Sequence, residues 1–319
     1  MAGSGHVTNS VPREKPRIPR VVMSGYGVLL EKLRFALRTE NQYVRCGLAE
    51  FLGTLILILF GCGSVAQMEL SGFAKAQFLS VNMAFGFAVT TGAYTCAGVS
   101  GAHLNPAVSL SMCVLNRLSK RMMLVYWLAQ FLGSFVGASL VFSLYYDAIY
   151  VYSGGNFTVT GPQATAGIFA SYPSEHLSAI NGFTDQVIAT AALMISILAI
   201  VDEANNAPPR GMQPFMIGIV VLLVGLSMGF NCGYPINPAR DLAPRIFTAM
   251  AGWGLEVFWA GGNWWWVPVI GPMVGALVGV FIYMVLIEIH HPMVRHKDDH
   301  EEEANEGRNP HYELVSTTA

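Results

Sequence analysis

Charge is scarce in this chain: Asp, Glu, Lys and Arg make up 12% of its 319 residues, while 53% are hydrophobic. A soluble domain carries about 25% charged residues, so lipid rather than water is the expected solvent. The formal charge is only -2 and no basic groove interleaved with aromatics is present, which argues against nucleic acid as a partner. The five cysteines, Cys46, Cys62, Cys96, Cys113 and Cys232, are scattered, mostly inside apolar runs. Their spacing fits neither a disulfide framework nor a zinc site, and they read as small packing residues. A nucleophile motif, a phosphate-binding glycine loop and a metal-spaced His/Cys cluster are all missing. No enzyme, cofactor or metal is therefore expected. Residues 1–40 are polar, basic and proline-dotted, unlike a cleavable signal peptide, so the first membrane helix is expected to act as the insertion signal.

What the chain does have is long apolar runs. A hydrocarbon core of about 30 Å needs roughly 20 apolar residues in a helix. Six stretches meet that standard, at about 47–67, 77–97, 123–149, 181–201, 215–232 and 264–289. Two shorter segments, about 105–114 and 237–249, follow the second and fifth of them. At 1.5 Å per residue a ten-residue helix reaches about 15 Å, half of the bilayer. The expected fold is an all-α membrane protein of six transmembrane helices plus two reentrant half-helices. Residues 1–43 and 291–319 are read as cytoplasmic segments flanking a channel-like domain at 44–290.

Both half-helices start at the same tripeptide, Asn105-Pro106-Ala107 and Asn237-Pro238-Ala239. Asparagine is a good N-cap, and proline suits the first helical position, where its missing N–H is not needed. Two copies at matching places imply a duplicated unit, with repeats at about 44–150 and 181–290. Each repeat has three spans plus a half-helix, an odd number of crossings, so the second must enter from the opposite face. This is an inverted repeat whose two triplets meet near the midplane. Glu50 and Asp185 lie near the starts of the corresponding helices one and four, at similar separations from Asn105 and Asn237. Carboxylates in apolar helices are functional candidates by default. Both are expected to accept hydrogen bonds from the loops carrying the triplets. Gly133 and Gly137, like Gly271, Gly275 and Gly279, recur every four residues, a spacing that lets helices approach closely in lipid.

Six crossings put both termini on one side. Arg13, Lys15, Arg17, Arg20, Lys32, Arg34, Arg38 and Arg45 crowd the N-terminal segment, and Arg117, Lys120 and Arg121 precede the third span. The loop at about 150–180 has no Lys or Arg, so the termini are placed in the cytoplasm and that loop outside. Asn156-Phe157-Thr158 within it is an N-glycosylation sequon on the matching face. Trp264, Trp265 and Trp266 are expected at the outer headgroup level. Residues 29–37 read as a short amphipathic surface helix and the acidic tail from 292 as unstructured.

The stretches Ser100-Gly101-Ala102-His103-Leu104-Asn105-Pro106-Ala107-Val108 and Asn237-Pro238-Ala239-Arg240-Asp241 resemble the two signatures of the major intrinsic proteins. The Asp after Asn-Pro-Ala-Arg resembles the aquaglyceroporin branch, and Gly252-Trp253-Gly254 with the Trp264–Trp266 run resembles its vertebrate members. The resemblance covers about 44–290. It implies an aquaporin-like bundle, a homotetramer with one pore per protomer, and a plasma-membrane location. It also assigns an outer selectivity filter to Phe85, Gly225, Tyr234 and Arg240. Water-selective relatives have histidine where Gly225 stands. Glycine leaves room, Phe85 and Tyr234 supply an apolar wall, and Arg240 meets hydroxyls opposite. Taken alone, Phe85 and Tyr234 would be read as packing aromatics, and Arg240 as a snorkelling or Asp241-paired side chain. Asp241 and Arg245 are expected to form a supporting ion pair. His103 is read as a packing histidine with pore lining as the alternative, and Cys232 as a thiol near the outer constriction.

The implied function is passive conduction of glycerol, water and urea, with ions and protons excluded. Two helix N-termini, each worth roughly half a positive charge, would meet at mid-membrane and repel a partly dehydrated cation. Exclusion of protons by an arginine and by half-helix dipoles is a general property of such pores, applied here to this chain. A strictly water-selective channel is the alternative, opposed by Gly225 and Asp241. A secondary transporter would need ion or proton-relay groups at depth, and an embedded enzyme would need a nucleophile or metal. Besides these solutes the expected partners are membrane lipids and further copies of the chain.

Overall fold

The computed structural model describes residues 25–292. The basic residues from Arg13 to Arg20 and the acidic tail lie outside the described residues. The chain forms two units, Met1–Glu40 and Asn41–Ala319. In the first, α1 (Gly25–Leu37) starts earlier than the leucine spacing predicts, and Leu30, Leu33 and Leu37 are exposed.

The second unit is helical throughout its described part. Its elements are α2 (Gln42–Leu70), α3 (Phe78–Ser100), α4 (Pro106–Val114), α5 (Lys120–Tyr152), α6 (Ala179–Val201), α7 (Gln213–Met228), α8 (Pro238–Thr248), α9 (Glu256–Asn263) and α10 (Val267–Leu286). Helix starts are set locally. Asn41 caps α2 through the amides of Tyr43 and Val44, Ser119 caps α5 through Met122, and Ser178 caps α6 through Asn181. Proline opens α4, α7, α8 and α10.

By length and composition five helical stretches are able to cross a membrane: Gln42–Leu70, Lys120–Tyr152, Ala179–Val201, Arg210–Met228 and Glu256–His290. The sixth expected span, α3, has 23 residues and so is long enough, but Asn82, Thr90, Thr91 and Thr95 make it less apolar. Outward-facing Leu128, Leu144, Leu223 and Phe281 give the bundle an exposed apolar surface of the kind that meets lipid.

Packing repeats across the two halves. Helix α2 packs on α3 and α5, as α6 packs on α7 and α10; α3 and α7 join the halves, and both α4 and α8 lie against α5 and α10. The small-residue stripes make these contacts possible. A Cβ on Gly137 would sit 2.9 Å from the Leu55 carbonyl of α2, and one on Gly279 would sit 2.6 Å from the Ala191 carbonyl of α6. The stripes are thus used inside the protomer and give no support for contacts between copies.

Two further features add to this packing. Trp264 is buried inside the bundle, and its indole N–H donates to Ser171 Oγ at 3.3 Å. The connection between α5 and α6 folds into the bundle. Its Phe157 and Phe169 pack with Phe142 of α5, Phe247 of α8 and Trp253.

At the far end, Asp202 accepts from Tyr283 Oη and faces His291 Nε2, both at 2.7 Å. Burial pushes the Asp202 carboxyl up, but hydrogen bonds from Tyr283 and His291 outweigh it and hold it below its ordinary value. A carboxyl so lowered stabilises the fold above its ordinary value. The contribution is lost as pH falls through the lowered value. Acidification below about pH 4 is expected to speed hydrogen exchange at residues 283–291, and unchanged exchange would count against the clasp. The packing predicts a second contrast: Gly279→Leu forces α6 and α10 apart and costs about 1–3 kcal/mol or more, read as a lower melting midpoint. Gly98→Leu, where an added Cβ meets nothing, stays near wild type.

Candidate functional site

The two triplets meet, and they are bonded to each other. Asn105 Oδ1 accepts the Ala107 amide, and Asn237 Oδ1 accepts those of Ala239 and Arg240, so each caps its own half-helix. Each Nδ2 then crosses over. Asn105 donates to the Ile236 carbonyl at 2.9 Å and Asn237 to the Leu104 carbonyl at 2.8 Å. A carboxamide nitrogen carries two N–H groups, so each asparagine keeps one beyond that bond. Helices α4 and α8 therefore abut by their positive ends.

The loops leading into the triplets are unusual in the same way. Ala102 and Leu104 have φ of 55° and 53°, and Tyr234 and Ile236 have φ of 41° and 38°, at equivalent positions three and one before each asparagine. Side-chain-bearing residues enter the left-handed region at a cost of roughly 1–2 kcal/mol each. Something must hold them there. In the first copy it is Glu50, fully buried, which accepts from the His103 and Leu104 amides at 2.9 and 2.8 Å. Ser100 Oγ and Gln130 Nε2 complete its shell at 2.6 and 2.8 Å. Four donors match the capacity of an ionised carboxylate, the condition for burying that charge.

In the second copy Asp185 accepts from side chains of the loop as expected, while the backbone amide is held by its neighbour Gln186. Gln186 Oε1 accepts the Ile236 amide at 3.0 Å. Asp185, one residue earlier and so rotated about 100° round the helix, takes the Asn231 side chain at 2.8 Å and the Cys232 thiol at 3.6 Å. The register was readable: Thr54 follows Glu50 by four residues, and Thr190 follows Gln186 by four. A search for carboxylates alone passes over it.

A narrow cavity runs along these loops, with about 60 Å³ open to the centres of water-sized molecules, room for a short file of them. Its walls are mixed. Leu57, Val89, Leu193, Ile197 and Val221 bring apolar side chains to the lining and Asn105, Asn237, Arg240 and His103 bring polar ones, with Gly233 to Ile236 also among the lining residues. Arg240 brings a full charge to the lining, and no carboxylate is among the lining residues.

Phe85, Gly225, Tyr234 and Arg240 come together at one end. The Arg240 guanidinium lies 4.9 Å from the centre of the Phe85 ring, which meets Tyr234 edge-on at 6.2 Å. The Tyr234 ring fills the space that a side chain at position 225 would take: a Cβ there would lie 2.6 Å from Tyr234 Cζ. Arg240 Nη1 donates to the Phe169 carbonyl at 3.0 Å. That partner comes from the α5–α6 connection and has no sequence signature of its own.

The same connection is clamped to α8 through buried charges. Arg245 and Asp241 pair at 2.8 Å with both side chains fully buried. Asp241 Oδ2 also accepts the Ser171 amide at 2.7 Å, and Arg245 donates to the Val257 and Ser171 carbonyls. The guanidinium lies 4.6 Å from the Tyr172 ring centre. His103 lines the cavity and also packs, with Nδ1 3.1 Å from Ser109 Oγ and its ring edge-on to Tyr126. Cys232 is buried beside Gln186. Asn156 is exposed on the α5–α6 connection. Among the described residues no cluster of His, Cys, Asp or Glu suited to a metal ion is present.

Residues 37–283 match the family model described as Major intrinsic protein. Human aquaporin-9 is 51% identical over 245 residues, covering 77% of this chain and 83% of that protein. Human aquaporin-10 is 48% identical over 280 residues, covering 88% and 89%. Among solved structures, the aquaglyceroporin from Plasmodium falciparum aligns with a TM-score of 0.70 at 30% identity, over 77% of this chain and 97% of that one.

The buried pair yields a stability prediction. Asp241→Asn leaves Arg245 as an uncompensated interior cation, and a loss of about 3–5 kcal/mol is expected in thermal unfolding. The double variant Asp241→Leu with Arg245→Leu recovers part of that loss; a double variant as unstable as the sum of its parts would refute the pairing argument.

Proposed function

The chain belongs to the major intrinsic protein family, and on that premise we propose that it is a passive membrane channel for glycerol and water, and for urea, of the aquaglyceroporin branch. The observation that carries this reading is the room that Gly225 leaves: the Tyr234 ring stands where a side chain at 225 would project. The Phe85 ring meets it edge-on and the Arg240 guanidinium lies over the Phe85 ring, so apolar carbons and N–H donors adjoin one another. A polyol has C–H groups on one side and hydroxyls on the other, and it fits such a mixed constriction. Histidine at position 225 would crowd Tyr234 into the lumen and leave passage for water alone.

Passage is driven by the solute's own gradient, because the lining offers no acidic group to bind a coupling ion. Desolvation makes ions costly in an apolar tube. The facing half-helix ends and Arg240 add repulsion for cations, protons included. Neutral hydroxyl compounds exchange water hydrogen bonds for those of Asn105, Asn237, Arg240 and the loop carbonyls. Glu50, Gln186, Asp241 and Arg245 act by holding the loops and α8 in place.

The same reading places residues 44–290 as the channel domain in the plasma membrane, with both termini cytoplasmic, Asn156 glycosylated outside, and four copies per assembly. The absence of Lys and Arg from 150–180 supports the topology.

Purified protein in liposomes is expected to pass water, glycerol and urea in stopped-flow light scattering without passing ions. Gly225→His is expected to keep water flow and cut glycerol flow by an order of magnitude or more, because several contacts of about 1 kcal/mol each are lost together. Water flow with no glycerol flow in the parent protein selects the strict water channel instead. Accumulation of glycerol against its gradient selects a coupled transporter.

A further inference from the structure

Behind the outer constriction lies a polar group that the reading above does not use. Asn82 of α3 is fully buried, and neither its Oδ1 nor its Nδ2 has a hydrogen-bond partner among the described residues. The Tyr234 hydroxyl is in the same condition. Interior amides and hydroxyls are rarely left so, because an unmet donor or acceptor forfeits its hydration for nothing. Three such atoms in one place call for a common partner.

They do share one place. The point where a Cβ would stand on Gly225 lies 2.9 Å from Asn82 Oδ1 and 2.6 Å from Cζ of Tyr234, the carbon that bears the hydroxyl. Asn82 precedes Phe85 by three residues and so shares its face of α3. The Tyr234 ring thus lies against Phe85, Gly225 and the Asn82 carboxamide. The carboxamide and the hydroxyl are neighbours without being bonded to each other. A buried water needs two to four polar partners, and these two side chains offer an amide donor, an amide acceptor and a hydroxyl.

We propose that Asn82 and the Tyr234 hydroxyl jointly bind one buried water behind Gly225, and that this water holds the tyrosine ring back from the lumen. Asn82 is then a positioning residue for the filter. Gly225 makes room for the ring, and the Asn82 water keeps the hydroxyl turned away from the lumen. Without the water, the hydroxyl finds its partners on the lumen side, toward Arg240 and the permeant, and the ring narrows the passage. Water still passes; a polyol does not pass as well. The inference rests on Gly225, Tyr234 and Arg240 being the outer constriction.

The test uses the full chain in liposomes, with water and glycerol flow measured on the same preparations. Asn82→Leu, close in size but unable to bond, is expected to lower the glycerol-to-water permeability ratio about fivefold, the equivalent of one lost hydrogen bond. Adding Tyr234→Phe removes the stranded hydroxyl and is expected to restore the ratio. A packing defect at Asn82 would not be cured by deleting an oxygen from a different residue. An unchanged ratio in Asn82→Leu, or a double variant as impaired as the single one, overturns the proposal. A density map that resolves ordered water decides independently of any variant. A peak within hydrogen-bond reach of both Asn82 and Tyr234 Oη supports the site, and an empty pocket sinks it. A parent protein that passes no glycerol would overturn the functional reading, while the map would still decide the water.

Discussion

Everything at the centre of this molecule depends on two asparagines that each cap one half-helix and tie down the other. A half-helix ends in mid-membrane with unpaired N–H groups, where the surrounding lipid has no acceptors to offer. The Oδ1 atoms of Asn105 and Asn237 accept some of those N–H groups, and the reciprocal bonds from Asn105 to the Ile236 carbonyl and from Asn237 to the Leu104 carbonyl hold both caps in place. They also fix the distance between the two positive ends. Neither copy could do this alone.

Around that junction, strain and support are matched loop by loop. The left-handed residues before each triplet turn successive peptide groups and leave backbone polar atoms along the cavity. Glu50 and Gln186 hold the amides that such a loop cannot satisfy itself. The two copies differ in charge while agreeing in geometry. A carboxylate with four donors serves the first, and a neutral carboxamide serves the second with Asp185 displaced to one side. Apolar side chains and polar groups share the cavity lining, where Arg240 and the Phe85 and Tyr234 rings are grouped together.

The sequence made the architecture legible because lipid imposes simple rules: run length gave the spans, and proline after asparagine gave the half-helices. The helix bounds fall within a few residues of that reading for most elements. Pairwise detail was harder. Searching for acids picked out Asp185, which takes two side chains of the loop, but passed over the adjacent Gln186, which holds its backbone amide. The tryptophan run suggested an interface but not the Trp264 bond to Ser171. Glycines spaced by four signalled close packing without saying against which helix. Asn82 and Phe169 were silent, one because a lone asparagine in an apolar helix has many bland explanations, the other because it contributes only a backbone oxygen.

That oxygen belongs to the linker between the repeats, which has no counterpart inside either copy. An ancestor assembled from two unlinked halves would have had both half-helices and their mutual caps, but nothing from Phe169 or Ser171 to steady the guanidinium groups of α8. The covalent joining of the halves therefore supplied more than a tether. It holds both arginines of α8 through the Phe169 and Ser171 carbonyls, an arrangement with no equivalent on α4, which carries no arginine.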